Sequence, residues 1–305
     1  MAKILNFGSV NIDYVYKVDH FVKPGETLSA MGMERFPGGK GLNQSVALAR
    51  AGADIWHAGR IGRDGLHLRE LMSGAGVHTE LLDASGSGTG QAIIQVERSG
   101  QNCILLHPAA NFEITEQYIR SVLDRFEKGD LLLLQNEINM IDKLLDMAYE
   151  KGIQIAMNPS PISPALDQCD LGKVTWMLLN EVEGNALTGE TNAKKILEVL
   201  IARYPNGRFV LTIGKDGVVY RDRDQSLRRG IYDVPVVDTT AAGDTFTGFF
   251  LSVVQHGESI EEALKLASIA SSIAVSRKGA AVSIPTMDEV KRAEEDWGNH
   301  SDGRK

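Results

Sequence analysis

The strongest constraint on this chain is its alternation of short apolar runs with helical patterns over most of its length. Strand-like runs at 3–8, 55–61, 130–135, 153–157, 175–179 and 208–213 are interleaved with amphipathic or small-residue stretches such as 43–51 and 66–75. The runs are short and apolar on both faces, which suits strands covered on each side. Strands joined by helical crossovers pair in parallel, so the expected fold class is α/β, a doubly wound, mainly parallel sheet flanked by helices. Within 115–126 the residues Ile119, Val122, Leu123 and Phe126 recur at i, i+3, i+4 and i+7 and give one buried helix face. Ser259 and Glu262 form a capping-box pattern ahead of Ile260, Ala263, Leu264 and Ala267.

Two regions break the rhythm. Residues 13–36 and 90–107 carry strand signals with no room for a crossover helix, and QAIIQVERSGQNCILLH reads strand, Ser-Gly turn, strand. They predict a small antiparallel β-sheet projecting as a lid over a site. The expected organisation is an α/β body from 1–12, 37–89 and 108–296, the lid from 13–36 and 90–107, and a frayed tail at 297–305.

Composition narrows the function. The 305 residues carry a formal charge of −8, with no basic run, which argues against a protein that holds nucleic acid by neutralising phosphates. A small anion held by a few local donors remains compatible with that charge. Cys103 and Cys169 have no zinc spacing and read as reduced, buried structural thiols. No stretch approaches the ~18 apolar residues of a membrane span. The opening MAKILNFGSVNID enters a strand without a leader pattern, so a cytoplasmic enzyme is expected.

The 31 glycines gather in clusters between apolar runs, and two clusters precede helices. In Asp238-Thr239-Thr240-Ala241-Ala242-Gly243-Asp244-Thr245-Phe246-Thr247-Gly248, small residues before a helix let backbone N–H groups converge on an anion. Asp244 reads either as a reactive carboxylate or as an ordinary acid at a helix start. In Gly38-Gly39-Lys40-Gly41-Leu42-Asn43 the glycines allow close backbone approach to a ligand, with Asn43 free to donate and accept. This is no P-loop, because Lys40 is followed by glycine where that motif needs a hydroxyl. The segment 86–90 reads as a plain loop.

GGKGLN at 38–43, DTTAAGDTFTG at 238–248, GSVNID, LLNEVEG and LTIGKDG together resemble the ribokinase-like (PfkB) carbohydrate kinases over about 3–290. The resemblance implies an enzyme that moves the γ-phosphate of ATP to a primary hydroxyl of a sugar, D-ribose first. Fructose, deoxyribose or a nucleoside are alternative acceptors, and a catalytically silent sugar-binding relative is a further one. It implies Asp244 as catalytic base and Ala241, Ala242, Gly243 and Asp244 as an anion hole. Asn11, Asp13, Gly39, Lys40, Asn43 and Glu137 match the sugar positions, with Asn11 and Asp13 expected to close the first strand. Asn180 and Glu183 match an N-x-x-E element associated with Mg2+ and phosphate, and they read equally as a helix cap with a first-turn acid. Thr212, Gly214, Gly217, Gly243 and Ser268 match nucleotide positions. Asp238, Thr240, Ala274, Arg277, Gly279 and Ser283 match a site for K+, and a homodimer through the lid is implied. Thr247 departs from the Asn or Cys of many relatives, and LNEVEG departs from PNETEA while keeping Asn180 and Glu183.

Overall fold

The structure, a computed structural model, describes residues 2–301. The chain opens with β1 (Ile4–Phe7), a hairpin of β2 (Asn11–Lys17) and β3 (Gly32–Gly38), then α1 (Lys40–Arg50), β4 (Ile55–Arg60), α2 (Leu66–Gly74) and β5 (Leu82–Asp83). A second hairpin, β6 (Gly90–Val96) and β7 (Asn102–His107), precedes α3 (Glu116–Leu123) and β8 (Leu131–Gln135). Regular βα alternation follows through α4 (Ile141–Glu150), β9 (Gln154–Asn158), β10 (Trp176–Asn180), α5 (Glu181–Thr188), α6 (Ala193–Arg203) and β11 (Arg208–Thr212). An antiparallel pair, β12 (Val218–Arg221) and β13 (Ser226–Arg229), leads to α7 (Ala242–Gln255), α8 (Ile260–Val275) and α9 (Met287–Ser301).

The main sheet has nine strands in the order β13-β12-β11-β10-β9-β8-β1-β4-β5. It is parallel except for β12 and β13. The all-apolar runs are buried as expected: Leu131–Gln135 has no exposed residue, and core clusters line both faces of the sheet. From β1 the chain first builds outward through β4 and β5, then returns to the other side with β8. The crevice at the carboxyl ends of β1 and β8 is therefore a topological switch point, where open α/β sheets bind ligands.

The two hairpins form a separate four-stranded sheet, β3-β2-β6-β7. Each hairpin is antiparallel, and they join through a parallel β2–β6 pairing from Asn11↔Gly90 to Lys17↔Val96. Asn11 and Asp13 consequently lie on β2 rather than closing β1, because the chain turns at Gly8–Val10 and re-enters strand in the small sheet.

Local details depart from the sequence reading for physical reasons. Helix α1 begins at Lys40 rather than 43, because Gly39 at φ +91° turns the chain into the helix directly after β3. Ser259 accepts from the backbone N–H of Glu262, but the Glu262 side chain pairs with Lys265 at 2.6 Å instead of closing the capping box. Cys103 is exposed on the outer face of β7, contrary to the expected burial, while Cys169 is half-buried, and both are free thiols. The expected frayed tail is helical through Ser301, with Trp297 stacked on Tyr232 at 5.0 Å; residues 302–305 lie outside the described residues. Among the described residues no helix is long and apolar enough to cross a membrane.

Candidate active site

Three close approaches assemble the site. A Cβ on Gly41 would lie 2.4 Å from Ser9 N, so only glycine lets α1 start against the turn after β1. A Cβ on Gly248 would lie 2.4 Å from Ala47 Cβ and 2.8 Å from Leu48 N, so α7 and α1 touch backbone to backbone. That contact brings Asp244 onto the face of α1 that carries Asn43 and Gln44. The third approach is Gly38, whose missing side chain is filled by the Asp13 carboxyl group.

Asp244 sits in the first turn of α7, 7% exposed. Its Oδ2 accepts from Asn43 Nδ2 at 3.0 Å and its Oδ1 from Gln44 Nε2 at 2.8 Å. Asn43 Oδ1 is buried without a protein partner, which leaves an acceptor suited to a hydroxyl. Ahead of Asp244, Ala241 adopts a left-handed conformation at φ 60°, and no side chain caps α7. Thr115, Asn180, Asn192 and Ser259 do cap α3, α5, α6 and α8. The uncapped start of α7 keeps backbone N–H groups and the positive end of the helix dipole available to an anion. A Cβ on Gly243 would meet nothing within 4 Å, so this turn faces open space.

The sugar-matching residues gather on the other side of Asp244. Glu137, two residues past β8, has its Oε2 held by Ser9 Oγ and by Lys40 N at 3.0 Å. Burial raises the Glu137 carboxyl above the usual range despite the nearby Lys40 charge and these hydrogen bonds. Burial, with the negative Glu137 beside it, pushes Asp13 from 3.8 to about 7. Lys40 is itself disfavoured as a cation by burial, yet the charges of Asp244, Glu137 and Glu183 outweigh that and raise it. Asn11 Oδ1 accepts from Asn111 Nδ2 at 2.7 Å, which fixes the Asn11 amide.

On the far side of α7, a cavity of about 210 Å³ is lined by Lys40, Asn180, Glu183, Thr212, Gly243 and Asp244, among others. It adjoins a mostly apolar cavity of about 580 Å³ lined by Asn180, Thr212, Gly214, Gly217, Gly243 and Ser268, with Val236, Tyr232 and Val275. The nucleotide-matching residues thus surround one continuous space. Asn180 and Glu183 form a full capping box: Glu183 N donates to Asn180 Oδ1 at 3.0 Å and Asn180 N donates to Glu183 Oε2 at 2.9 Å. Among the described residues there is no group of three His, Cys, Asp or Glu that could cage a metal.

Beside the anion-facing turn, Asp238 Oδ1 accepts from Thr240 N and Oγ1 at 2.9 and 2.6 Å, and Oδ2 from Gly279 N at 3.0 Å. Burial acts to raise Asp238, but these hydrogen bonds and Lys278 hold it below the usual range. Val237 and Asp238 both donate to Val275 O, which pins the loop ahead of α7 to the close of α8 near Ala274. The Arg277 side chain turns away to Glu289 at 2.8 Å, and Ser283 bonds Ala280 O.

The family model for pfkB family carbohydrate kinases matches residues 1–287. The chain belongs to that family. It is 34% identical to the ribokinase of Haemophilus influenzae, across 95% of this chain and 98% of that protein. It is also 34% identical to the ribokinase of Bacillus subtilis, across 95% and 99%. The ribokinase structure from Thermotoga maritima superposes with a TM-score of 0.86 at 33% identity, covering 97% of this chain and 100% of that one. The Arabidopsis thaliana ribokinase complexed with ribose and ATP gives 0.85 at 27% identity, covering 96% and 98%. As a member of this family the chain is a phosphotransferase acting on a sugar hydroxyl.

Sequence reading missed Ser9, Gln44, Asn111 and Asn158, which hold the recognised residues in place. Ser9 stands inside GSVNID and Gln44 directly follows GGKGLN, so proximity to a motif was the available signal. Asn111 and Asn158 carry no local signal at all.

Proposed function

We propose that this chain is an ATP-dependent ribokinase that phosphorylates O5 of D-ribose. The carrying observation is a buried carboxylate, Asp244, at the uncapped start of α7, between a hydroxyl-matching polar pocket and a larger apolar cavity. The curated ribokinases of equal length and the ribose and ATP complex of the plant relative support the same acceptor.

In this reading Asn11, Asp13, Gly39, Lys40, Asn43 and Glu137 hold the sugar, the carboxylates and amides each accepting or donating to a ring hydroxyl. Asp244 takes the proton from the attacking hydroxyl as its oxygen bonds to the γ-phosphorus. The bond from that phosphorus to the bridging oxygen breaks, and ADP leaves with the electron pair. Charge on the transferred group is met by the N–H groups of Ala241, Gly243 and Asp244 and by Lys40, which fits a reaction governed by positioning and electrostatics; the Ala242 N–H, expected in the same hole, is turned to Thr239 O at 3.3 Å. Thr212, Gly214, Gly217 and Ser268 border the space for the nucleoside. Mg2+ when bound neutralises phosphate charge, held mainly by phosphate oxygens and water as it prefers, with Asn180 and Glu183 facing it. K+ when bound steadies the loop of Asp238, Thr240, Ala274, Arg277, Gly279 and Ser283 beside the anion hole.

The small sheet acts as a lid, since Asn11 and Asp13 sit at the root of its central strand β2. Its edge strand β7 exposes Ile104 and Leu106 on one face and Leu105, at 66%, on the other, and a second copy packed along that edge into a homodimer would cover them. The free thiols fit the reducing cytoplasm, where ATP and sugar meet. The deciding experiment is an ADP-release screen over D-ribose, deoxyribose, fructose and inosine with potassium and magnesium. The highest kcat/KM is expected for D-ribose. A higher value for another acceptor replaces the assignment, and no ADP release with any acceptor leaves a silent binding protein. Asp244→Asn lowers kcat by about 10²–10⁴-fold, and near-normal turnover in that variant refutes the base.

A further inference from the structure

Behind Asp244 lies a chain of amides, buried except for the half-buried Asn158 at the edge of the smaller cavity. Gln44, fully buried on α1, borders neither cavity. One Nε2 hydrogen goes to Asp244 Oδ1 at 2.8 Å and the other to Asn158 Oδ1 at 3.2 Å. Its Oε1 accepts from Gln135 Nε2 at 2.7 Å, and Gln135 gives its second hydrogen to Asn6 Oδ1 at 2.9 Å. Asn6 Nδ2 donates to Gly41 O and Ser45 Oγ, both at 2.8 Å, and Ser45 Oγ meets His57 Nδ1 at 2.7 Å. Asn158 Nδ2 donates to Leu178 O at 2.9 Å. The ladder crosses β1, β4, β8 and β9 and ends at the base.

Each amide in this ladder has one usable orientation. Flipping Gln44 would set its carbonyl oxygen against the Asp244 carboxylate and against Asn158 Oδ1, and would turn its N–H groups toward the donor of Gln135. Both faces would then be left unsatisfied in the interior, at about 1–3 kcal/mol for each buried group. The two N–H donors on Asp244, from Asn43 and Gln44, occupy one lone pair on each oxygen and fix the plane of the carboxylate. Asn43 has a second task at the sugar, through its unpartnered Oδ1. Gln44 has none.

We propose that Gln44 is a positioning residue, which sets the angle of the Asp244 carboxylate through the buried amide ladder without touching substrate. The proposal rests on Asp244 being the base. A misaligned base costs turnover more than affinity, because the ground-state sugar is still held by the other polar residues.

The test measures kcat and D-ribose KM by ADP release for Gln44→Glu and Gln44→Met, each alone and combined with Asp244→Asn. Gln44→Glu keeps the shape and the acceptor for Gln135 but removes both N–H donors. Gln44→Met keeps the volume without adding charge, so either variant that melts cooperatively carries the result. The expected outcome is a kcat about tenfold to a hundredfold lower with ribose KM changed by less than about threefold. In the Asp244→Asn background the same substitutions produce no further loss. The proposal is overturned by an unchanged kcat, by a KM that rises as far as kcat falls, or by an equal loss in both backgrounds. If Asp244→Asn alone keeps near-normal turnover, the base reading fails and this proposal falls with it, an outcome told apart by that single variant.

Discussion

Asp13 offers a sharp test of the sugar pocket, because its protonation is set by the fold. Burial and the neighbouring Glu137 move it from 3.8 to about 7, so near neutrality half of the free enzyme carries it as a neutral acid. A sugar hydroxyl donates best to the ionised form, so binding must first remove that proton. The apparent KM then scales as one plus the protonated-to-ionised ratio: from pH 8 to pH 6 the KM for D-ribose rises about tenfold, while kcat at saturating sugar stays nearly level. The same shift has a consequence for stability. Between pH 4 and pH 7 the native state holds a proton that the unfolded chain has released, so stability falls as pH rises through that window. The full difference, 3.8 against about 7, corresponds to about 4 kcal/mol. Asp13→Asn removes the penalty, and is expected to melt higher than the parent at pH 8, to bind ribose weakly, and to show a shallower KM slope, what remains coming from Glu137, which burial also raises. Initial rates of ADP release between pH 5.5 and 8.5, with thermal melts at the same values, check all three. A flat KM in the parent, or an unchanged slope in Asp13→Asn, refutes the reasoning.

Two glycines on α7 separate activity from stability. Gly243→Ala meets no atom within 4 Å, so the fold keeps or gains up to about 1 kcal/mol from helix propensity while kcat/KM for ATP falls at least about tenfold; normal kinetics would remove Gly243 from the anion site. Gly248→Ala drives a methyl against Ala47 and the backbone of Leu48, so it is expected to cost about 1–3 kcal/mol, read as a lower melting temperature, with turnover falling as α1 shifts. Identical rates in potassium and in a bulky organic-cation buffer would argue against the Asp238 loop as a cation site, whereas a clear potassium activation lost in Asp238→Asn supports it.

The parallel sheet was legible because apolar runs such as Leu131–Gln135 cannot be exposed on either face, and the lid because no crossover fits between its strands. The motif residues were legible only through the family resemblance that GGKGLN and DTTAAGDTFTG carry together, because each glycine cluster by itself reads equally as a plain turn or an ordinary helix start. What escaped was long-range and polar. Asn6, His57, Gln135 and Asn158 read as minor interruptions of apolar strands, yet Asn6 and Gln135 are bonded across 129 residues of sequence. Burial of a polar side chain depends on a partner, and the partner's position depends on the strand order, which apolar periodicity does not encode. Cys103 failed for a related reason: its strand is the edge of the small sheet and is exposed on both faces, so an apolar neighbourhood in sequence did not mean a buried one.

The overall charge of −8 is carried into the site itself, where Glu137, Glu183 and Asp244 act on the ammonium of Lys40 and Asp13 lies beside Glu137. Such a centre is suited to a neutral polyhydroxyl ligand, whose O–H groups donate to carboxylates. It is poorly suited to a polyphosphate, which it would repel. In the proposed reading the two are partly segregated: the sugar-side carboxylates Asp13 and Glu137 lie on β2 and beyond β8, while the phosphate side is the uncapped start of α7 with its backbone N–H groups. Asp244 stands on the boundary with Lys40, and Glu183 lines the phosphate-side cavity. A cation on the phosphate side then becomes an electrostatic requirement of this arrangement, and the ATP affinity, far more than the ribose affinity, should fall when magnesium is withheld.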